Sequence, residues 1–443
     1  MKKIIFFISI LICFFSYANH GTTEKKISSS PKKIILMIGD GMGLDYVSLY
    51  RYYKSYPTGV VNYTEFDKIF FGTIKVNSYD NIFTDSAAAA TAMATGVKTI
   101  NRKVGVDHLD RPVTSLIEIA KTKKYLTGVI TDTSTLDATP AGFLSHVKHR
   151  KRFSEIAQQY YDNPFYHKPV FDLLFGSGRS VFENNTGLLD AFDKLGYHIL
   201  FSFNELHKVK ELPVLGLFFD EDFPFAIDNE GEKNKLLKMT QKGLSLLNES
   251  DQPFLLVVEA SRIDKCGHKN DVSCMLKEME EFEKTIAFVK SFVDDNPDSI
   301  LIATADHSTG GVSLGNPSYI WKPEYINKVN ISAYKLAKKM IQQARLDDDM
   351  IELLWDAHIG FSLQTEEISE LRNVIAKSIH QDDDKIVIHY ISALINQYAM
   401  VNWSSHNHSS IDVPLLVYPS SLVKSQEKVF DNTFIFDLIH SFL

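Results

Sequence analysis

Asp264 and His268 stand four residues apart in Glu259–His268 (EASRIDKCGH), so one helical turn would bring both side chains to one side. Asp306 and His307, adjacent in Thr304–Gly311 (TADHSTGG), form a second compact pair, and His408 and Asp40 would complete a first and a second site. Carboxylates and imidazoles are the usual nitrogen and oxygen ligands of zinc, and three of them leave a position open for substrate or water. Two cations held about 4 Å apart meet both difficulties of cleaving a phosphate ester, because they activate a nucleophile and neutralise the leaving oxygen. Ser86, which follows Asp85 at the head of an alanine-rich stretch, is the candidate nucleophile. A serine there could also do no more than cap a helix.

Six fragments carry these residues in order along nearly the whole chain: Ile34–Gly43 (IILMIGDGMG), Thr84–Gly96 (TDSAAAATAMATG), Asp137–Arg150 (DATPAGFLSHVKHR), Glu259–His268, Thr304–Gly311 and Trp403–Pro414 (WSSHNHSSIDVP). Together they resemble the alkaline phosphatase family. The resemblance implies one Zn²⁺ on Asp264, His268 and His408, and a second on Asp40, Asp306 and His307. It implies a Mg²⁺ that shares Asp40 and takes Thr139 and Glu259, with Asp137 reaching it through water; oxygen ligands suit such a hard cation. Ser86 would form a phosphoserine, Arg150 would bind two phosphate oxygens through its planar fork, and Lys265 would pair with Asp137 and hold phosphate indirectly. The aspartate/lysine combination at 137 and 265 looks like that of bacterial members. Taken singly, Asp137–Lys265 could be a plain surface salt bridge and Arg150 a solvated charge in HVKHRKR. His406 competes with His408, which is preferred for its spacing to Asp412-Val413-Pro414, although Ser409-Ser410 replaces the Thr-Gly often found there.

These residues need a scaffold that delivers them to one place. Apolar runs of strand length at Ile34–Ile38, Tyr125–Ile130, Phe254–Val258 and Ile300–Thr304 fit buried parallel strands. Asp40, Glu259 and Asp306 fall just beyond or at their ends, and Asp137 lies in the loop after one of them. Ser115 with Glu118 forms a capping-box pattern opening a helix to about Lys124, and Met279, Phe282, Ile286, Val289 and Val293 keep helical spacing before the last run. The alternation predicts an α/β fold, doubly wound, with a mostly parallel central sheet and helices on both faces. In such sheets ligands collect at the carboxyl ends of the strands. The domain is expected over residues 31–443, with an insertion at about 316–402 above the site.

The chain has 443 residues, is 44% hydrophobic and 23% charged, and carries a net charge of −8, with no dense basic run beyond 146–152, so nucleic acid is not an expected partner. Lys2 and Lys3 precede an apolar run from Ile4 to Phe15 and then Ser16-Tyr17-Ala18, the pattern of a cleavable leader at residues 1–18. A polar tether at 19–30 would follow, no membrane span would remain after cleavage, and the protein would be periplasmic or secreted. After cleavage only Cys266 and Cys274 remain; they could form a disulfide or stay free thiols.

The implied activity is hydrolysis of small phosphate monoesters by an exported enzyme with two Zn²⁺ and one Mg²⁺, and family members are often homodimers. A phosphodiesterase or sulfatase-like relative with the same two-metal core is the nearest alternative, with Thr139 and Glu259 arguing against it. A non-catalytic phosphate- or metal-binding protein is the alternative from another class.

Overall fold

The four apolar runs become the middle of one sheet. The structure, a computed structural model, describes residues 30–443 except Pro57, residues 229–231 and residues 344–346; the expected leader and the tether up to residue 29 lie outside the described residues. Its strands are β1 (Lys33–Gly39), β2 (Phe70–Lys75), β3 (Leu126–Ser134), β4 (Leu173–Ser177), β5 (His198–Leu200), β6 (Val214–Leu217), β7 (Phe254–Ala260), β8 (Ser299–Thr304), β9 (Ser308–Thr309), β10 (Val312–Ser313), β11 (Asn402–Trp403), β12 (His408–Ser409), β13 (Val413–Tyr418) and β14 (Val429–Asp431). Ten of them form the main sheet in the order β14-β2-β13-β8-β1-β7-β3-β4-β6-β5.

The pairings are parallel except those of β13 with β2 and β8. The central strands β8, β1, β7 and β3 are apolar on both faces because helices cover them; Ile34 to Ile38 and Phe254 to Val258 are almost wholly inaccessible. This is the doubly wound α/β class. β3 continues to Ser134, four residues beyond the apolar run, through buried Thr131, Asp132 and Thr133. Their polarity hid that extension, although each finds a partner: Thr131 donates to Glu259 at the end of β7, Asp132 accepts from the Ser261 N–H just beyond it, and Thr133 donates to Asp222 in the loop after β6.

The capping box at Ser115 and Glu118 is formed, but its helix stops at Thr122 and Lys124 turns into a left-handed conformation (φ 63°) before β3. The 3,4-spaced residues lie on the helix Val272–Asp295, with Met279, Phe282, Ile286, Val289 and Val293 all buried. Between β10 and β11 the described residues form five helices from Pro323 to Ala399. None of the helices among the described residues is long and apolar enough to cross a membrane.

Candidate active site

Parallel strand order carries the carboxylates to one edge. Ile38 in β1 is in register with Glu259 in β7, Glu259 with Thr131 in β3, and Ile38 also with Thr304 in β8. Asp40 therefore leaves β1 beside Glu259, while Asp306 follows β8 by two residues. The turn after β1 depends on Gly41, whose φ is +76° and where a Cβ would stand 2.8 Å from Asp264 Cα. That close approach lets the Gly41 N–H donate to Asp306 Oδ1 at 3.0 Å.

Asp306 Oδ1 accepts a second bond, from the His307 N–H at 2.8 Å, so its other oxygen is turned inward. Asp306 Oδ2 and Asp40 Oδ1 are both buried without a hydrogen-bond partner, and they lie 3.2 and 3.7 Å from His307 Nε2. Unpaired buried carboxylate oxygens are costly. Burial, followed by the nearby charges of Asp306, Asp264 and Glu259, pushes the Asp40 carboxyl well above the usual range. Burial likewise raises Asp306 to about 6 and Glu259 to about 8. Without a cation this concentration of acids resists ionisation, and its ligand atoms are those a divalent metal takes.

The second cluster adjoins it. Asp264 lies in the short helix Arg262–Gly267, whose last turn places His268 Nε2 3.4 Å from Asp264 Oδ2. His408 reaches the same carboxylate, Nε2 to Oδ1 at 3.9 Å, and stacks on His307 with ring centroids 3.6 Å apart. A two-stranded ladder delivers it, β12 to β9, with His408 opposite Thr309. Thr309 Oγ1 donates to Asp264 Oδ1 at 2.6 Å.

The imidazoles are oriented from behind. His408 Nδ1 lies 2.8 Å from the Thr84 carbonyl and His268 Nδ1 2.6 Å from the His406 carbonyl. A carbonyl only accepts, so each Nδ1 carries the proton and each Nε2 presents a lone pair toward the cluster. Burial holds His307 and His408 down at about 4, which keeps both rings neutral near pH 7. His406 itself is exposed and stacks on His389 at 3.8 Å, away from the carboxylates. Of the two competing histidines, the structure brings His408 into the cluster.

Ser86 is the first residue of the helix Ser86–Thr95, and the cap is Asp85, whose side chain accepts from the Ala88 N–H. Ser86 is thus free of the capping role, and its Oγ stands 3.2 Å from His307 Nε2. Asp85 also holds Arg150, Oδ2 to Nη1 at 3.2 Å, while Arg150 Nη2 meets Asp137 Oδ1 at 2.9 Å. Asp137 caps the helix Ala138–Leu144 that follows β3, and takes Lys265 Nζ on its second oxygen at 3.2 Å. Burial alone would raise the Asp137 carboxyl, but Lys265 and Arg150 outweigh it and hold the group well below the usual range.

Thr139 and Glu259 lie on the same side. Glu259 Oε2 accepts from Thr131 Oγ1 at 2.6 Å. Thr139 Oγ1 is buried without a well-placed partner, yet close enough to favour the charged form of Glu259. All twelve residues singled out in the sequence therefore converge on the carboxyl edge of β1, β3, β7 and β8. Asp85, Thr131 and Thr309 join them; each sits in or beside a recognisable segment, but only contacts across the fold give it a partner. A disulfide joins Cys266 and Cys274 next to His268.

A fold of this class with such a site has known counterparts. The alkaline phosphatase family model matches residues 31–443. Alkaline phosphatase 3 of Bacillus subtilis is 34% identical over 396 residues, covering 88% of this chain and 84% of that protein. The crystal structure of the cold-active alkaline phosphatase from a psychrophilic Shewanella superposes with a TM-score of 0.83 at 31% identity, covering 92% of this chain and 99% of the other. The fold is also that of the alkaline phosphatase from the Antarctic bacterium TAB5, solved as a His-to-Asp mutant with Mg bound in its M3 site, at TM-score 0.66 and 24% identity over 93% of this chain and 98% of the other. The chain belongs to the alkaline phosphatase family, metal-dependent hydrolases of phosphate monoesters.

Proposed function

We propose that the chain is an exported phosphomonoesterase that works through a phosphoserine at Ser86 and holds two Zn²⁺ and one Mg²⁺. The observation that carries this reading is the pair of buried clusters meeting at His307, with unpartnered oxygens on Asp40 and Asp306 and with Ser86 Oγ 3.2 Å from the shared imidazole. Asp264, His268 and His408 would hold one zinc and Asp40, Asp306 and His307 the other. Asp40, Thr139 and Glu259 would hold magnesium, with Asp137 behind it. This all-oxygen set suits a hard cation, and the TAB5 enzyme with Mg at its third site is a precedent for the ion. The metals, when bound, would favour the ionised serine and neutralise the leaving oxygen.

The chain's own groups do the rest. Arg150, braced by Asp85 and Asp137, directs its guanidinium at the phosphoryl oxygens. Ser86 Oγ attacks phosphorus as the bond to the alcohol oxygen breaks; water then hydrolyses the phosphoserine, releasing inorganic phosphate and restoring the hydroxyl. Lys265 keeps the Asp137 side of the site cationic.

Export is supported by the leader pattern of residues 1–18 and by the Cys266–Cys274 disulfide, which suits an oxidising compartment. We read the helices between β10 and β11 as the insertion above the site, since Asn396 Nδ2 donates to the Asn270 carbonyl only two residues past His268. The test is a comparison of the metal-loaded protein on p-nitrophenyl phosphate and on its bis-ester. Dominant monoester cleavage is expected; dominant diester cleavage would overturn the reading in favour of a phosphodiesterase.

A further inference from the structure

We propose that Arg102 makes the enzyme selective for monoesters whose alcohol part carries a second phosphate, by binding that phosphate at the mouth of the site. This deepens the phosphomonoesterase reading and rests on it.

Arg102 is exposed and lines a cavity of about 770 Å³ that extends from His268 and His408 outward past Asn101, Ser405 and Asn407. Its wall takes in Thr84 and Asp85, the residues just before Ser86, so the alcohol part of an ester held at Ser86 would extend into that space. Apart from Asp85, which is committed to Arg150 and to backbone N–H groups, and the two cluster histidines, Arg102 is the charged side chain on the cavity wall.

Two features set Arg102 apart. Every other described arginine bonds a carboxylate, from Arg51 on Asp67 to Arg372 on Asp348, whereas the Arg102 guanidinium has no such partner among the described residues. It is also the one described arginine with a left-handed backbone, with φ 74°, a conformation that disfavours side chains.

The strained residue is nevertheless tightly held. Its N–H donates to Asp85 Oδ1 at 3.0 Å and its carbonyl accepts from the Arg150 N–H at 2.7 Å. The residue that would read the distal phosphate is thus tied through Asp85 to the nucleophile's helix and directly to the residue that grips the reacting phosphate. An unpaired guanidinium fork suits bidentate binding of a phosphate dianion, which a lysine at the same place would bind as a point charge.

The test uses the metal-loaded full chain with fructose 6-phosphate and fructose 1,6-bisphosphate, comparing kcat/KM in the parent, Arg102→Gly and Arg102→Lys. Glycine accepts the left-handed backbone without strain, so the Gly variant is expected to fold, and its melting midpoint checks this. The bisphosphate-to-monophosphate ratio should fall about tenfold in Arg102→Gly, the size of one charge-assisted bond in water, and partly recover in Arg102→Lys. The parent's preference should also shrink as salt rises. A parent without preference, or a Gly variant that keeps it, would overturn the role of Arg102 alone, provided p-nitrophenyl phosphate is still cleaved. A parent that releases no phosphate from any of the three esters would overturn both this inference and the reading beneath it.

Discussion

Asp85 Oδ2 lies 3.2 Å from Arg150 Nη1, while the other oxygen of the same carboxylate caps the helix opened by Ser86. One residue therefore sets both the start of the nucleophile's helix and the aim of the phosphate-binding fork. Asparagine is as good a cap as aspartate but carries no charge. Asp85→Asn should leave the melting midpoint nearly unchanged while loosening Arg150, so that inhibition by inorganic phosphate weakens about three- to tenfold. Asp85→Ala should show the same weakening and lose about 1 kcal/mol of stability as well, the worth of a cap. An unchanged inhibition constant in both variants would mean that Asp137 alone orients Arg150.

The neighbouring histidines of the segment Trp403–Pro414 offer a sharper contrast. His408 Nε2 faces Asp264 and His307, whereas His406 contributes only its carbonyl to the site and stacks on His389. His408→Ala is expected to remove about one zinc per chain by elemental analysis and most of the activity. His406→Ala keeps the carbonyl and should retain both zincs. Equal losses would show that the ladder of β12 with β9 does not fix the ligand.

Much of this site was legible in the sequence because its residues sit at the ends of strands whose apolar runs stand out, as Asp40 does after Ile34–Ile38 and Asp306 after Ile300–Thr304. The capping box at Ser115 and the 3,4 spacing from Met279 to Val293 were equally plain, since both patterns are local. What remained hidden depends on contacts between distant segments. Thr131 belongs to a polar strand extension that pairs with Glu259 across 128 positions, and Thr309 becomes meaningful only when Asp264 folds against it. The edge strand β14, its neighbour β2 and the antiparallel β13 carry no local signal that places them on the far side of β8. Asp85 was visible as the neighbour of Ser86, yet its hold on Arg150 joins residues 65 positions apart.

Removing the metals should make stability depend on pH in a defined direction. In the metal-free fold Glu259 is pushed up to about 8 and Asp306 to about 6, chiefly by burial, with Asp40 raised well above its usual range. In the unfolded chain such carboxyls titrate at about 4. Their contribution to stability is therefore fully present below that pH and is lost as pH rises through the folded values, up to about 8 for Glu259. His307 and His408, held down at about 4, work the other way between about 4 and 6.5, so the melting midpoint of chelated protein should fall most clearly above about 6.5; that of the zinc- and magnesium-loaded protein should fall less, so the gap between the two widens toward alkaline pH. A gap that stayed constant or narrowed would mean that these carboxylates do not face bound cations.

The most direct test concerns the serine itself. Ser86 Oγ is placed beside the shared imidazole of His307 and is not used to cap its own helix. Metal-loaded protein would be mixed with p-nitrophenyl phosphate, quenched in acid within the turnover time, digested and mapped by mass spectrometry. The expected result is phosphate on Ser86 in the parent, and in Ser86→Ala no phosphopeptide and a loss of turnover of at least about a thousandfold with metal content intact. Near-normal turnover in Ser86→Ala, with or without phosphate trapped on another residue, would contradict a phosphoserine at Ser86.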